Sequence, residues 1–163
     1  MKDLNELVAI ARNEIGTEED AKHQNEGSCI QKYQASTSLA GQGWPWCAAF
    51  VDWCVQKYAA EGGFDIVQVP RTPSAFGLIT WGNDNHYTVF APPIQAEGTK
   101  PRPGDVVVYE FSHTGIVSRE GDTAYDFYAI EGNTNPSGGR DGYEVAERGR
   151  PYSSVKKFVR LPD

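Results

Sequence analysis

The hydrophobic pattern of this 163-residue sequence changes at Gly104 from helical spacing to strand-like spacing. Before Gly104, apolar residues recur every three or four positions between residues 47 and 58, which predicts an amphipathic helix that Pro45 begins and Gly62 ends. After Gly104, short runs of β-branched and aromatic residues alternate with turn residues, as in antiparallel strands. Helices followed by strands predict an α+β fold, with N-terminal helices packed on a C-terminal antiparallel sheet.

The same signals predict the remaining elements. A first helix should begin after Asp3 and end at Gly16, and a short helix should cover residues 29–34. Because prolines interrupt residues 63–104, we expect no long regular element in that segment. The expected strands are residues 105–111, 114–119, 124–133, 143–148 and 155–161.

The charge balance excludes two classes of partner. The net charge is -7, so the chain lacks the basic field that supplies most nucleic-acid affinity and the Lys/Arg clusters that bind anionic lipids. No apolar run approaches the roughly 18 residues of a membrane span, and the acidic N-terminal residues do not resemble a signal peptide. We expect a monomer with one domain over residues 1–163, made in the cytoplasm without an export signal.

The three cysteines are too few and too irregularly spaced for a disulfide framework or a zinc site. We expect a reducing compartment in which Cys47 is reactive and Cys29 and Cys54 pack as small apolar residues. Cys47 lies near the predicted helix start, where peptide dipoles and unpaired N–H groups favour a thiolate. A buried core cysteine is the commoner role for an arbitrary cysteine, so this position alone does not establish catalysis.

Among the three histidines, His113 is the candidate base, because the other two lie in polar, loop-like segments. A three-residue hairpin loop centred on Asp122 would place Glu131 opposite His113, to within one residue. Asn133 would point to the same sheet face, because strand side chains alternate. An acceptor on one ring nitrogen leaves the other nitrogen free to take a thiol proton. A cross-strand His/Glu pair without function is the alternative reading of the same pattern.

Three ordered sequence blocks resemble a known family. Residues 44–54 (WPWCAAFVDWC) are similar to the nucleophile helix of CHAP domains, the cysteine, histidine-dependent amidohydrolases/peptidases. Residues 103–108 and 112–117 are similar to the histidine hairpin of that family, and residues 131–133 to its third block. The resemblance covers about residues 44 to 133.

The resemblance implies a papain-like fold of the CHAP/NlpC type and hydrolysis of peptidoglycan, as an N-acetylmuramoyl-L-alanine amidase or as a peptide-bridge endopeptidase. It implies that Cys47 is the nucleophile, His113 the general base and then acid, Glu131 the residue that orients the imidazole, and Asn133 an additional polar support. No cofactor is implied. Peptidoglycan would be the partner, reached as an endolysin released with a holin or as an effector delivered by a secretion system and countered by an immunity protein.

Two departures from the family pattern are visible. Ser112 and Thr114 flank His113 where many relatives have glycine and valine, for which we expect only local consequences. The acids Glu18, Glu19 and Asp20 do not reproduce the calcium loop that some relatives carry before the cysteine. The sequence therefore predicts no metal requirement.

The oxyanion hole and the substrate groove are only partly identified by the sequence. The backbone N–H of Cys47 is one expected oxyanion donor, and Gln42 and Tyr33 are candidates for the second. Two other functions stay open: a thiol hydrolase or acyltransferase acting on an amide outside the wall, and a catalytically idle wall-binding module. The residues expected to bind substrate are Gln42, Trp44, Trp46, Trp81 and Tyr87, of which the four aromatic residues could equally be packing residues.

Overall fold

The computed structural model describes residues 3–39, 41–64, 68–93, 100–135, 137 and 141–163. The helices in these residues are α1 (Leu4–Asn13), α2 (Gln31–Gln34), α3 (Cys47–Ala60) and α4 (Gly77–Asp84). The strands are β1 (Thr88–Phe90), β2 (Val106–Tyr109), β3 (His113–Glu120), β4 (Phe127–Thr134), β5 (Glu144–Arg150) and β6 (Val155–Arg160), with a 3₁₀ turn at Tyr152–Ser154 before β6.

The strands form one antiparallel sheet in the order β1-β6-β2-β3-β4-β5. Helix α3 packs against β3 and β4, α1 and α2 pack against α3, and α4 packs against β1 and β6. None of the described helices is long and apolar enough to cross a bilayer. The predicted α+β architecture is therefore confirmed.

The side chains of the central strands alternate between two apolar layers. Val106 and Val108 pack with the helices in the larger cluster, which also contains Phe50 and Ile130. Val107 packs on the opposite face of the sheet, in a cluster of residues that also includes Tyr109, Val117, Phe127, Ala129, Val155 and Phe158. This two-fold periodicity is what a sheet covered on both faces requires.

The helix that carries Cys47 begins two residues later than predicted. Trp46 has φ -118° and ψ 18°, so it is not yet helical, and Cys47 is the first residue of α3. The hydrogen-bond ladder begins where the Phe50 N–H donates to the Trp46 carbonyl at 2.9 Å. The N–H groups of the first turn therefore precede the ladder and have no partner within the helix.

The loop-like segment between Gly63 and Gly104 contains two elements that the sequence analysis did not predict, α4 and β1. No proline lies between Pro73 and Pro92, so this stretch is free to form a helix and a short strand. A Cβ on Gly82 of α4 would lie 2.6 Å from Val159 Cγ1 of β6, so α4 lies close to the sheet.

The pairing of β3 with β4 differs from the predicted register. Ile116 pairs with Ile130, and the connection covers residues 121–126 instead of three residues. This shift places Glu131 beside Gly115, where an added Cβ would lie 2.7 Å from Glu131 Cγ. Because a two-residue shift preserves the sheet face, Glu131 stays on the face of His113.

Close contact between α3 and β4 depends on Gly132. A Cβ at this position would lie 2.7 Å from Phe50 Cβ and 2.9 Å from Trp46 Cζ3. Trp46 and Phe50 are both fully buried, so neither has room to move away. The glycine therefore sets how near the start of α3 lies to the strand that carries Glu131.

We expect Gly132→Ala to separate α3 from β4 and to lower the free energy of unfolding by roughly 1–3 kcal/mol, as overpacking of a dense core does. Chemical denaturation monitored by circular dichroism measures this difference. An unfolding free energy equal to that of the wild type would show that the contact can relax without cost.

Candidate active site

Cys47 lies at the start of α3 and borders a pocket. Its side chain is 5% exposed, and it lines a cavity of about 330 Å³. Small and apolar groups form most of the wall, so the cavity next to the thiol carries no charged side chain among the described residues. The other lining residues are Leu39, Trp44, Pro45, Pro73, Ser74, Ala75 and Ser112.

His113 begins β3 and is fully buried. Its Nε2 lies 2.9 Å from Glu131 Oε1, and its Nδ1 has no hydrogen-bond partner of normal geometry among the described residues. Burial by itself would lower the pKa of His113, but the Glu131 carboxylate and the neighbouring Cys47 side chain offset it and raise that pKa to about 9. The ring is therefore an imidazolium at neutral pH, next to Cys47.

Glu131 is held by donors from three other strands. Its Oε2 accepts from Tyr109 Oη at 2.7 Å and from Arg150 Nε at 2.9 Å, while Oε1 accepts from Arg150 Nη2 and contacts His113 Nε2. Burial opposes ionisation of this fully buried carboxyl, yet the Arg150 hydrogen bonds and the His113 charge lower its pKa to about 2. Glu131 is therefore a carboxylate throughout the neutral range.

Parallel aromatic rings flank the imidazole. The Tyr109 and His113 ring centroids are 5.8 Å apart with 19° between the planes, and Phe111 stacks on both rings. The Arg150 guanidinium lies over the Tyr109 ring, 4.9 Å from its centroid. These contacts fix the plane of the imidazole from the side, because stacked rings resist tilting.

Ser112, the residue immediately before His113, has a left-handed backbone conformation. Its φ is 60°, in the left-handed region where glycine carries no steric cost. The chain makes this turn immediately before His113 and places Ser112 on the wall of the Cys47 pocket. Ser112 therefore occupies a backbone conformation that glycine adopts without steric cost, and it forms part of the pocket wall.

Asn133 is fully buried, but strand geometry does not determine its direction. Its φ of 53° is left-handed, and the β4–β5 ladder is irregular between Glu131 and Thr134. The alternation used to place Asn133 on the His113 face therefore stops before this residue.

Of the tryptophans proposed to bind substrate, Trp44 lines the Cys47 pocket and Trp46 does not. Trp46 is 0% exposed, its Nε1 donates to Glu19 Oε1 at 2.8 Å, and its ring stacks on Tyr33. The prediction that Trp46 lines a substrate groove is therefore wrong, because the indole is part of the core. Glu19 also accepts from the Asn25 N–H, so this acid has a structural role.

The remaining candidates lie away from the pocket wall. Trp81 packs edge-on against Tyr87, and its Nε1 donates to the Gln68 carbonyl at 2.7 Å. Gln42 Oε1 accepts from the Gly27 N–H at 3.2 Å, and the Tyr33 hydroxyl donates to Glu14. The structure therefore brings together Cys47, His113, Glu131 and Trp44, but not these residues.

The structure corrects the expectation for one of the other two cysteines and shows a buried acid in α3. Cys29 is exposed, so it does not pack as an apolar residue, whereas Cys54 is buried as predicted. Asp52 of α3 is fully buried, and neither of its oxygens has a hydrogen-bond partner among the described residues. Burial raises the pKa of Asp52 to about 9, only partly opposed by Arg71. This carboxyl is therefore neutral at pH 7.

No described group of three or more His, Cys, Asp or Glu side chains is arranged to hold a metal ion. The sequence pattern does not indicate Tyr109 or Arg150 as site residues. Tyr109 lies within a predicted strand, and Arg150 lies two residues beyond the predicted end of another. Neither carries a local motif, because each reaches Glu131 only through strand pairing.

Comparisons with known proteins bear on the family and the fold of this chain. The CHAP domain family profile matches residues 39–133, more than half of the chain. The crystal structure of the wild-type endolysin LysIME-EF1 superposes with a TM-score of 0.61 at 17% sequence identity, over 99% of this chain and 65% of that chain. The chain thus spans 65% of the length of that endolysin, and at this identity the likeness shows a shared fold. No curated protein matches the sequence. On the family match, the chain belongs to the CHAP domain family.

Proposed function

We propose that this protein is a peptidoglycan hydrolase that cleaves an amide bond of the cell-wall peptide by a cysteine mechanism, as an N-acetylmuramoyl-L-alanine amidase or an endopeptidase. Membership of the CHAP domain family and a fold shared with an endolysin support the class. The observation that carries the mechanism is the placement of Cys47 at a helix start beside the buried His113–Glu131 pair.

The resting site favours an ion pair. His113 is protonated at neutral pH, and a thiolate on Cys47 would be stabilised by that charge and by the N-terminal dipole of α3. Glu131 engages Nε2, so Nδ1 is the nitrogen left to exchange a proton with the sulfur. Nucleophile and acid are thus prepared before substrate binds.

The reaction then proceeds in two steps. The Cys47 thiolate attacks the scissile carbonyl carbon, and the tetrahedral intermediate collapses as His113 transfers its proton to the leaving amine, which leaves a thioester on Cys47. Neutral His113 next removes a proton from water, the hydroxide attacks the thioester, and the carboxylic acid product departs as the thiolate and imidazolium re-form. Glu131 stays ionised throughout and stabilises each imidazolium.

The oxyanion would be received by the first turn of α3. The backbone N–H groups there precede the helical ladder, and the Cys47 N–H belongs to the residue that carries the attacking sulfur. Trp44 and Ser112 border the same pocket and would contact the bound peptide. Because that wall lacks charged side chains among the described residues, we expect the residue next to the scissile bond to be small and uncharged.

The cellular setting follows from the substrate. The protein would act on the wall after release with a holin or after transfer by a secretion system, and an immunity protein would accompany the second route. It would act as a monomer over residues 1–163 and would need no cofactor. These statements on delivery, oligomeric state and cofactors are part of the same proposal.

The activity test uses purified peptidoglycan and mass spectrometry of the released fragments. The wild type should produce new amino termini, and Cys47→Ala should reduce their rate at least about a thousandfold, because no other group can form the thioester. Cys29→Ser is the matched control, since Cys29 is exposed and does not line the Cys47 pocket, and it should keep the wild-type rate.

Fragment release that persists in Cys47→Ala would contradict the cysteine mechanism. Binding to the wall without release by the wild type would favour an idle binding module. Release of acyl groups from non-wall amides alone would favour a thiol hydrolase or acyltransferase with another substrate.

Alkylation should distinguish the three thiols by rate. Cys47 should react with iodoacetamide faster than the exposed Cys29, because the adjacent imidazolium and the start of α3 stabilise a thiolate at Cys47. Cys54 should not react in the folded protein, because burial raises its pKa. Peptide mapping after short exposures measures the three rates, and equal labelling of Cys47 and Cys29 would refute the ion pair.

Stability should depend on pH through His113. Its pKa rises from 6.5 to about 9 on folding, so its contribution is complete below pH 6.5 and is lost as the pH rises toward 9. We expect the free energy of unfolding to fall by up to about 3 kcal/mol over this range, and His113→Gln to lack this fall. Urea denaturation at several pH values measures the free energy of unfolding of both proteins. An equal decrease with pH in the wild type and in His113→Gln would contradict the prediction.

A further inference from the structure

Arg150 contacts the proposed active site from outside the residues that match the family. The match ends at residue 133, and Arg150 is the last residue of β5. Its Nε donates to Glu131 Oε2 at 2.9 Å and its Nη2 donates to Oε1, which makes a two-pronged contact. The Arg150 side chain is 11% exposed and that of Glu131 is 0% exposed.

We propose that Arg150 is a positioning residue that holds the Glu131 carboxylate against His113 and favours the thiolate–imidazolium form of the Cys47–His113 pair. This inference deepens the proposed function and rests on the roles given there to Cys47 and His113. Arg150 acts through Glu131 and does not touch the reacting atoms.

The geometry shows how Arg150 restricts Glu131. A carboxylate offers about four lone-pair sites, and Glu131 uses them for Tyr109, His113 and the two nitrogens of Arg150. With Tyr109 and His113 alone, the carboxylate could rotate about its last bond and break one contact to keep the other. The planar guanidinium fixes both oxygens at once, so Oε1 stays aligned with His113 Nε2.

Charge balance shows why Arg150 also affects the thiol. The groups that face this network are Arg150 from β5, Glu131 from β4, Tyr109 from β2, His113 from β3 and Cys47 from α3. Asp52 of α3 also interacts with Cys47, and it adds no charge at neutral pH because burial raises its pKa to about 9. With Arg150 present, the buried set is neutral when Cys47 is a thiolate and His113 an imidazolium. Without Arg150, that form carries a net negative charge, whereas the thiol form beside the imidazolium is neutral. Since buried net charge is costly, removing Arg150 should favour the thiol.

The chain contains a matched control for this network. Arg160 Nε and Nη2 donate to the two oxygens of Asp105 at 3.0 and 2.7 Å, and the side chains are 12% and 0% exposed. Burial and geometry therefore resemble the Arg150–Glu131 pair, but no described contact joins Asp105 to His113 or Cys47. A purely structural effect should be similar at both arginines, whereas an effect on the thiol should occur only at Arg150.

The experiment measures the rate of Cys47 alkylation by iodoacetamide from about pH 4 to 9 in a Cys29→Ser background, which removes the exposed thiol. Of the two remaining thiols, Cys47 borders the pocket and Cys54 is fully buried. Arg150→Gln should move the acid-side midpoint upward by about one pH unit, because loss of a nearby cation raises the pH at which the thiolate forms. Arg150→Lys should move the midpoint by less than half as much, since Lys keeps the positive charge but cannot donate from two nitrogens to both carboxylate oxygens. Arg160→Gln and Arg160→Lys should leave it unchanged.

These outcomes decide the proposal without a wall substrate. A midpoint in Arg150→Gln that coincides with the wild type, or an equal shift in Arg160→Gln, would overturn it. If Arg150→Gln does not fold, the comparison uses Arg150→Lys. An alkylation midpoint in Arg150→Lys equal to that in Arg160→Lys would also overturn the inference. A shift confined to Arg150 together with no peptidoglycan cleavage would support the role of Arg150 while overturning the proposed substrate.

Discussion

The buried carboxylate of Glu131 is the interaction on which the rest of the site depends. An isolated carboxylate in a protein interior is costly, and this one is stable only because β2, β3 and β5 each bring a donor to it. The registers of these strands must therefore all be correct before the imidazole has its partner. Folding and the chemical state of His113 are coupled through a single side chain.

Asp52 shows what happens to a buried carboxyl without such donors. Burial raises its pKa to about 9, whereas the donors around Glu131 lower the pKa of that residue to about 2. Both residues are fully buried, so burial alone does not determine the charge state. Hydrogen-bond donors and cations supplied by neighbouring strands determine it, which is why Glu131, and not Asp52, can hold an imidazolium.

Two glycines control the distances in the site. Gly132 lets the start of α3 approach β4, and Gly115 leaves room for the Glu131 side chain across the β3–β4 pair. Each would place an added Cβ within 2.7 Å of a neighbouring atom. The glycine of the third family block and that of the histidine hairpin are thus packing requirements of the site, quite apart from backbone flexibility.

The sequence by itself determined the α+β class, the buried stripe of α3, the position of Cys47 near a helix start and the face shared by His113 and Glu131. Each depends on local periodicity, and a register error of two residues does not change the face of a strand. Tertiary structure alone decided that Trp46 is core, that Asp52 is buried, that α4 and β1 form, and that Tyr109 and Arg150 reach Glu131. These outcomes depend on contacts between residues far apart in the chain, and local periodicity carries no information about them.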